Sequence, residues 1–143
     1  MTQENQNSAL ALSLLLIRLG VGLVFFMWTI DKLINPEHTI RVFAFYYKIS
    51  WLTVGLSYAV GAVQMVVVLA FIGGALKKYS YMAIFVMHFI STASTYPRLF
   101  DPWSDTNLLF YASIPMLAGC WALWAVRGMD AMFSWDAKRV AQA

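Results

Sequence analysis

The chain has 143 residues, the size of one domain, of which 61% are hydrophobic and 12% charged, with a net charge of +3. Average soluble domains carry roughly 25% charged residues, and a soluble core of this length cannot hide so much apolar surface. The composition excludes an ordinary water-soluble globule. The small, dispersed positive charge excludes nucleic acid as a partner and reads instead as anchoring to anionic lipid headgroups.

The N-terminal tail MTQENQNS has no Lys or Arg, so it lacks the basic region of a signal peptide and is expected to stay on the mature protein. Behind it the apolar residues fall into four runs, 9–30, 51–76, 79–96 and 108–126, each close to the ~20 residues that cross a ~30 Å hydrocarbon core. Their length and lack of alternation predict helices, not strands. The expected fold is all-α: a single integral-membrane domain of four transmembrane helices.

Between the first two runs, Asn35 and Pro36 suit the cap and first turn of a new helix. In the segment PEHTIRVFAFYYKIS, Ile40, Phe43, Ala44 and Tyr47 follow the i, i+3, i+4, i+7 rule. This predicts a short amphipathic helix lying in the outer interface, either floating there or closing as a lid over a cavity with Tyr46 and Tyr47 facing in. Gly73 and Gly74 end the second run before Lys77 and Lys78, Tyr96-Pro97 opens the loop RLFDPWSDTN, and Pro115 predicts a kink in the fourth run. Gly128 is expected to end that run, with FSWDAKRV continuing along the inner surface and Asp136 free to reach back toward the bundle.

Four spans place both termini on one side. That side holds Lys77, Lys78, Arg127, Lys138 and Arg139, against Lys32, Arg41, Lys48 and Arg98 opposite, which favours cytoplasmic termini. Trp28, Trp51 and Trp103 would line the outer interface, and Trp124 and Trp135 the inner one.

Counted at ~1.5 Å per residue from the starts of their runs, Arg18 and His88 each lie roughly 14 Å deep, and Gln64 sits near the middle of its own run. Helical spacing extends each into a polar stripe: Arg18, Gly22, Thr29 and Lys32; Thr53, Ser57, Gly61 and Gln64; His88, Thr92, Thr95 and Tyr96. Lipid cannot satisfy such stripes, so they should face inward. Thr92 can simply bond its own backbone, and Gln64 and His88 can serve as hydrogen-bonded core residues. Arg18 is the sharper case, because a charge at a helix centre costs at least ~2.5 kcal/mol on insertion scales. Every acidic residue lies outside the central parts of the spans. An ion pair within the chain therefore requires the C-terminal segment to fold back. Otherwise Arg18 needs acceptors from Gln64, His88, main-chain carbonyls, water, a ligand or another subunit.

The single Cys120 excludes an intrachain disulfide or a Cys-x-x-Cys redox pair, and His38 and His88 stand at different depths with no zinc, iron or haem spacing, so no metal site is expected. A redox role then requires a bound organic cofactor, such as a quinone, or a partner subunit. One arrangement places a quinone at the midplane, with Arg18 and His88 donating to its oxygens, Gln64 and Thr92 beside them, and Trp28 and Phe25 walling the ring. The other is a structural or assembly subunit whose Arg18 pairs with a partner's carboxylate.

The opening LLLIRLGVGLVFF with IDKL, and the ending MDAMFSWDA, resemble the DoxX family of small four-helix membrane proteins, through Arg18, Gly20, Gly22, Lys32, Leu33, Ser134 and Asp136. The chain departs from that pattern at Thr29, where a glycine is expected, and at Gln64, where relatives often carry a glutamate. The resemblance implies a prokaryotic cytoplasmic-membrane protein associated with redox complexes, some relatives being membrane subunits of thiosulfate:quinone oxidoreductase and others partners of sulfurtransferase or superoxide-defence proteins.

Overall fold

A computed structural model describes residues 2–141, and among them the regular structure is entirely helical. Helix α1 (Gln3–Ile34) is followed by α2 (Pro36–Tyr46), α3 (Val54–Ile72), α4 (Lys77–Ser94) and the short α5 (Tyr96–Phe100). A 3₁₀ segment (Asn107–Ala112) then leads into α6 (Ser113–Ala125), and α7 (Trp135–Ala141) closes the described chain. Three segments are long and apolar enough to cross a membrane: α1, α3 and the continuous stretch Asn107–Ala125. Helix α4 has 18 residues and packs between α3 and α6, but it opens on Lys77 and Lys78 and is less apolar.

The four long elements form an up-down-up-down ring, α1 on α3, α3 on α4, α4 on α6 and α6 back on α1. The ring closes on one apolar cluster containing Val21, Phe25, Val68, Phe71, Ile84 and Leu123. Its outer face is just as apolar: Leu16, Leu23, Met27, Val63, Val66 and Phe89 are all exposed. Water would penalise such a surface, whereas a hydrocarbon solvent matches it.

Close approach between α1 and α3 depends on small residues. Gly22 faces Ile72 and Phe71, and Gly61 faces Leu33 and Lys32, with no room for a Cβ at either place. These two contacts fix an antiparallel register, and α4 runs parallel to α1, with Tyr81 beside Arg18 and His88 beside Phe25.

Local signals explain most boundaries. Asn35 precedes Pro36 at the first position of α2, where proline loses no helical bond. The Thr53 hydroxyl accepts from the Leu56 amide at the start of α3. Pro115 falls in the first turn of α6, just after the 3₁₀ turn gives way to α-helix at Ser113. The segment after Tyr96 is also more ordered than a plain loop. It forms α5, and the buried Asn107 ties it down by accepting from Arg98 at 3.1 Å and donating to the Asp101 carbonyl at 2.7 Å.

The C-terminal segment does not merely lie along a surface. After α6 ends at Ala125 it turns back over the α3–α4 junction. Trp135 and Asp136 amides donate to the Gly73 and Gly74 carbonyls, and the Ser134 hydroxyl donates to the Gly74 carbonyl at 3.1 Å. Asp136 accepts from the Leu76 and Lys77 amides at 3.0 and 2.9 Å, so it caps α4 from outside that helix.

Candidate functional site

Two polar centres emerge, at opposite ends of the ring. The first is built around Arg18. Its side chain is 0% exposed, and one terminal nitrogen lies 2.7 Å from a carboxylate oxygen of Asp130, itself 0% exposed. The same nitrogen donates to the Tyr81 hydroxyl at 3.3 Å, and Tyr81 donates to the same Asp130 oxygen. The other terminal nitrogen donates to the carbonyls of Met132 and Phe133 at 2.7 and 3.2 Å. Lys77 adds a bond from its ammonium to the Asp130 carbonyl at 3.0 Å. The planar guanidinium fork suits this work, because it reaches a carboxylate and two carbonyls from fixed directions.

The centre thus fastens the 130–134 turn into the bundle, and the chain itself supplies acceptors for both terminal nitrogens of Arg18, while its Nε and the second Asp130 oxygen are buried without a hydrogen-bond partner. Neither Gln64 nor His88 takes part. Along α1, Arg18 lies roughly 10 Å from the level of His88 and roughly 17 Å from that of Gln64, from the register of α1 with α4 and α3. The shared midplane level expected from the sequence does not exist. The reason is that the two starts are not level: with Tyr81 beside Arg18 and His88 beside Phe25, Tyr79 is level with Leu16, about 10 Å inward of Ala9, so depths counted from Ala9 and Tyr79 do not compare.

The second centre lies toward α2. A cavity of about 540 Å³ opens beneath that helix, which covers it with Thr39, Phe43, Tyr46 and Tyr47. The expected lid arrangement is therefore the one adopted: Ile40, Phe43, Ala44 and Tyr47 are half-buried, while Arg41 and Phe45 face out. Helix α2 is tied to α1 by His38 and Asp31, 2.6 Å apart. Trp28 and Phe25 line the wall, and its polar groups include Gln64 from α3, Lys32 from the last turn of α1, Thr39, and Asp31, whose carboxylate is engaged by His38. The Lys32 ammonium donates to the Trp28 carbonyl at 3.0 Å and retains donors for a further acceptor.

Of the candidate residues, Trp28, Gln64, His88 and Thr92 gather around this end, and Arg18 alone stands apart. Trp28 is 41% exposed, and its ring sits edge-on to that of Phe25 at 5.4 Å and 6.2 Å from that of His88. The polar stripes do face inward at Gly22, Thr29, Ser57, Gly61 and Thr95, whereas Thr53 is exposed and Tyr96 is 62% exposed. Sequence reasoning missed Asp130, Tyr81 and Lys77 as members of the Arg18 centre. A signal for Asp130 was present: a buried cation without a carboxylate in any span draws one from outside, and Asp130 is the first acidic residue after the fourth run. No protein-family model matches the chain, and neither a curated protein nor a solved structure shows significant similarity to it.

Proposed function

We propose that the protein is a multi-pass subunit of a redox-linked membrane complex, with four spans, and that the cavity beneath α2 holds a lipid-soluble quinone. The observation that carries this reading is the cavity: about 540 Å³, walled by Trp28, Phe43, Tyr46, Tyr47 and Phe110, with Gln64 and Lys32 as donors. Binding sites for such molecules are concave and mostly apolar, with a few polar groups that fix orientation. A flat ring bearing two carbonyls fits aromatic walls plus two donors, and its apolar tail fits the surrounding bilayer. The resemblance of the opening and closing motifs to DoxX proteins supports the same class.

This reading leaves Arg18 out of the ligand site, because its terminal nitrogens are taken by Asp130, Tyr81, Met132 and Phe133. The alternative reading, an assembly subunit in which Arg18 meets a partner's carboxylate, is less favoured, because the buried Arg18 already faces the chain's own Asp130.

The test is direct. Purified in mild detergent and extracted with organic solvent, the protein should yield close to one quinone per chain. Gln64→Leu and Lys32→Met should lose most of it while melting at an unchanged temperature. A wild-type extract free of quinone would remove the reading.

The proposed membrane is the cytoplasmic membrane of a prokaryote, with termini inside. Lys77, Lys78 and Arg127 cluster at the end where the C-terminal segment docks, and Lys32, Arg41, Lys48 and Arg98 lie at the α2 end. Reporter fusions after residue 143 and within 35–50 should report opposite sides, the first cytoplasmic. The same side for both would contradict four spans.

A further inference from the structure

Beyond Trp28 lies a second cavity, of about 460 Å³, between α4, the 3₁₀ segment and the start of α6. It shares Trp28, Ser91, Thr95 and Phe110 with the first, so the two adjoin. Three of its lining residues carry a buried polar atom that has no protein partner: His88 Nδ1, Thr92 Oγ1 and Ser113 Oγ. Buried polar atoms in native proteins are almost always satisfied, and each orphan costs about 1–3 kcal/mol. Three at one cavity, whose other walls include Leu109, Phe110 and Met116, mark a place built for the polar head of an otherwise apolar molecule.

The histidine decides which head. Its ring is 1% exposed, and Nε2 lies 3.0 Å from the Ser113 carbonyl oxygen, which can only accept. In the neutral ring the proton therefore sits on Nε2, and Nδ1 is an acceptor. An acceptor beside two hydroxyls calls for a ligand that brings an O–H of its own. Of the two forms of a quinone couple, only the reduced dihydroxy form does so. The oxidised form offers carbonyl oxygens alone, which match the donors Lys32 and Gln64 of the first cavity.

We infer that the second cavity binds the reduced, hydroxyl-bearing form of the quinone couple, with one hydroxyl donating to His88 Nδ1 and accepting from Thr92 or Ser113. This rests on the quinone reading above and adds a discrimination between redox forms that neither cavity alone supplies. His88 and Thr92 act as specificity residues for the reduced form, and Gln64 for the oxidised form.

The probes are decylbenzoquinol and decylbenzoquinone, each titrated anaerobically into the full chain in mild detergent. Thr92→Val keeps the volume and His88→Phe keeps a ring against Phe25 and Trp28. Each should weaken quinol binding about tenfold, the equivalent of one lost hydrogen bond, with quinone affinity held within about twofold. Gln64→Leu should do the reverse. Equal losses for both forms, or quinol affinity untouched by both Thr92→Val and His88→Phe, would overturn the inference while leaving the quinone reading in place. Binding of neither form to the wild-type chain would overturn both.

Discussion

Arg18→Leu lowers the stability of the detergent-solubilised protein by about 3–5 kcal/mol, the usual consequence of removing one partner of a buried ion pair. The Asp130 carboxylate would remain in the interior with Tyr81 as its one side-chain donor, and the carbonyls of Met132 and Phe133 would lose their donors. Asp130→Asn should cost a similar amount by leaving the guanidinium uncompensated. Arg18→Lys should rescue little, because an ammonium is a single point that cannot reach Asp130, Met132 and Phe133 together. The double change Arg18→Met with Asp130→Leu should recover most of the loss, since no charge is then left unpaired. Thermal melting of the four variants checks the set. Equal melting of Arg18→Leu and wild type would show that the ion pair is dispensable.

Gly74→Ala is the second large effect, about 2–4 kcal/mol, from two additive causes. Gly74 has φ +61°, a left-handed conformation that costs an alanine roughly 1–2 kcal/mol. A Cβ there would also stand 2.8 Å from an Arg18 nitrogen and 2.9 Å from the Ser134 hydroxyl oxygen. Neither neighbour is free to retreat: Arg18 is held by Asp130, and Ser134 donates to the Gly74 carbonyl itself. Gly20→Ala is the matched comparison. A Cβ at Gly20 meets nothing within 4 Å, and the site is mid-helix, so that change should stabilise by about 0.5–1 kcal/mol. Similar melting temperatures for the two variants would contradict the tight contact between Gly74 and Arg18.

Much of the scaffold was legible because membrane helices are written in runs of apolar residues. The four runs match α1, α3, α4 and the Asn107–Ala125 segment to within a few residues at most ends, and of the 40–47 face Phe43 and Tyr47 line the cavity, joined by Thr39, Val42 and Tyr46. The long overhang at the start of α1 was not legible, since QENQNS carries no helix stop and its helix continues past the apolar run. The apolar runs of α1 and α4 also start about 10 Å apart in depth, a stagger that hydropathy does not record, and counting from both starts therefore puts Arg18 and His88 at one level. Asp130 could be named only as part of a segment that would have to fold back. What makes it fold back is a set of backbone bonds from Trp135 and Asp136 to Gly73 and Gly74, which leave no mark on hydropathy. The Asp136 cap on α4 is likewise a contact between residues about 60 apart in sequence, outside the local S/T-x-x-E pattern by which capping boxes are read. The change from 3₁₀ to α-helix at Ser113, two residues before Pro115, is an element boundary that an unbroken apolar run does not mark.

The central claim is a division of labour: an ionic fastening at the C-terminal end and a ligand chamber at the α2 end. A photoactivatable azido-quinone with a short alkyl tail, crosslinked to the full chain in mild detergent and mapped by mass spectrometry, tests it most directly. The account predicts adducts on α2 (Pro36–Tyr46), around Trp28 and on the 3₁₀ segment Asn107–Ala112, all suppressed by excess unlabelled quinone. Displaceable adducts confined to 14–22 or 129–134 would place the ligand at Arg18 and contradict it.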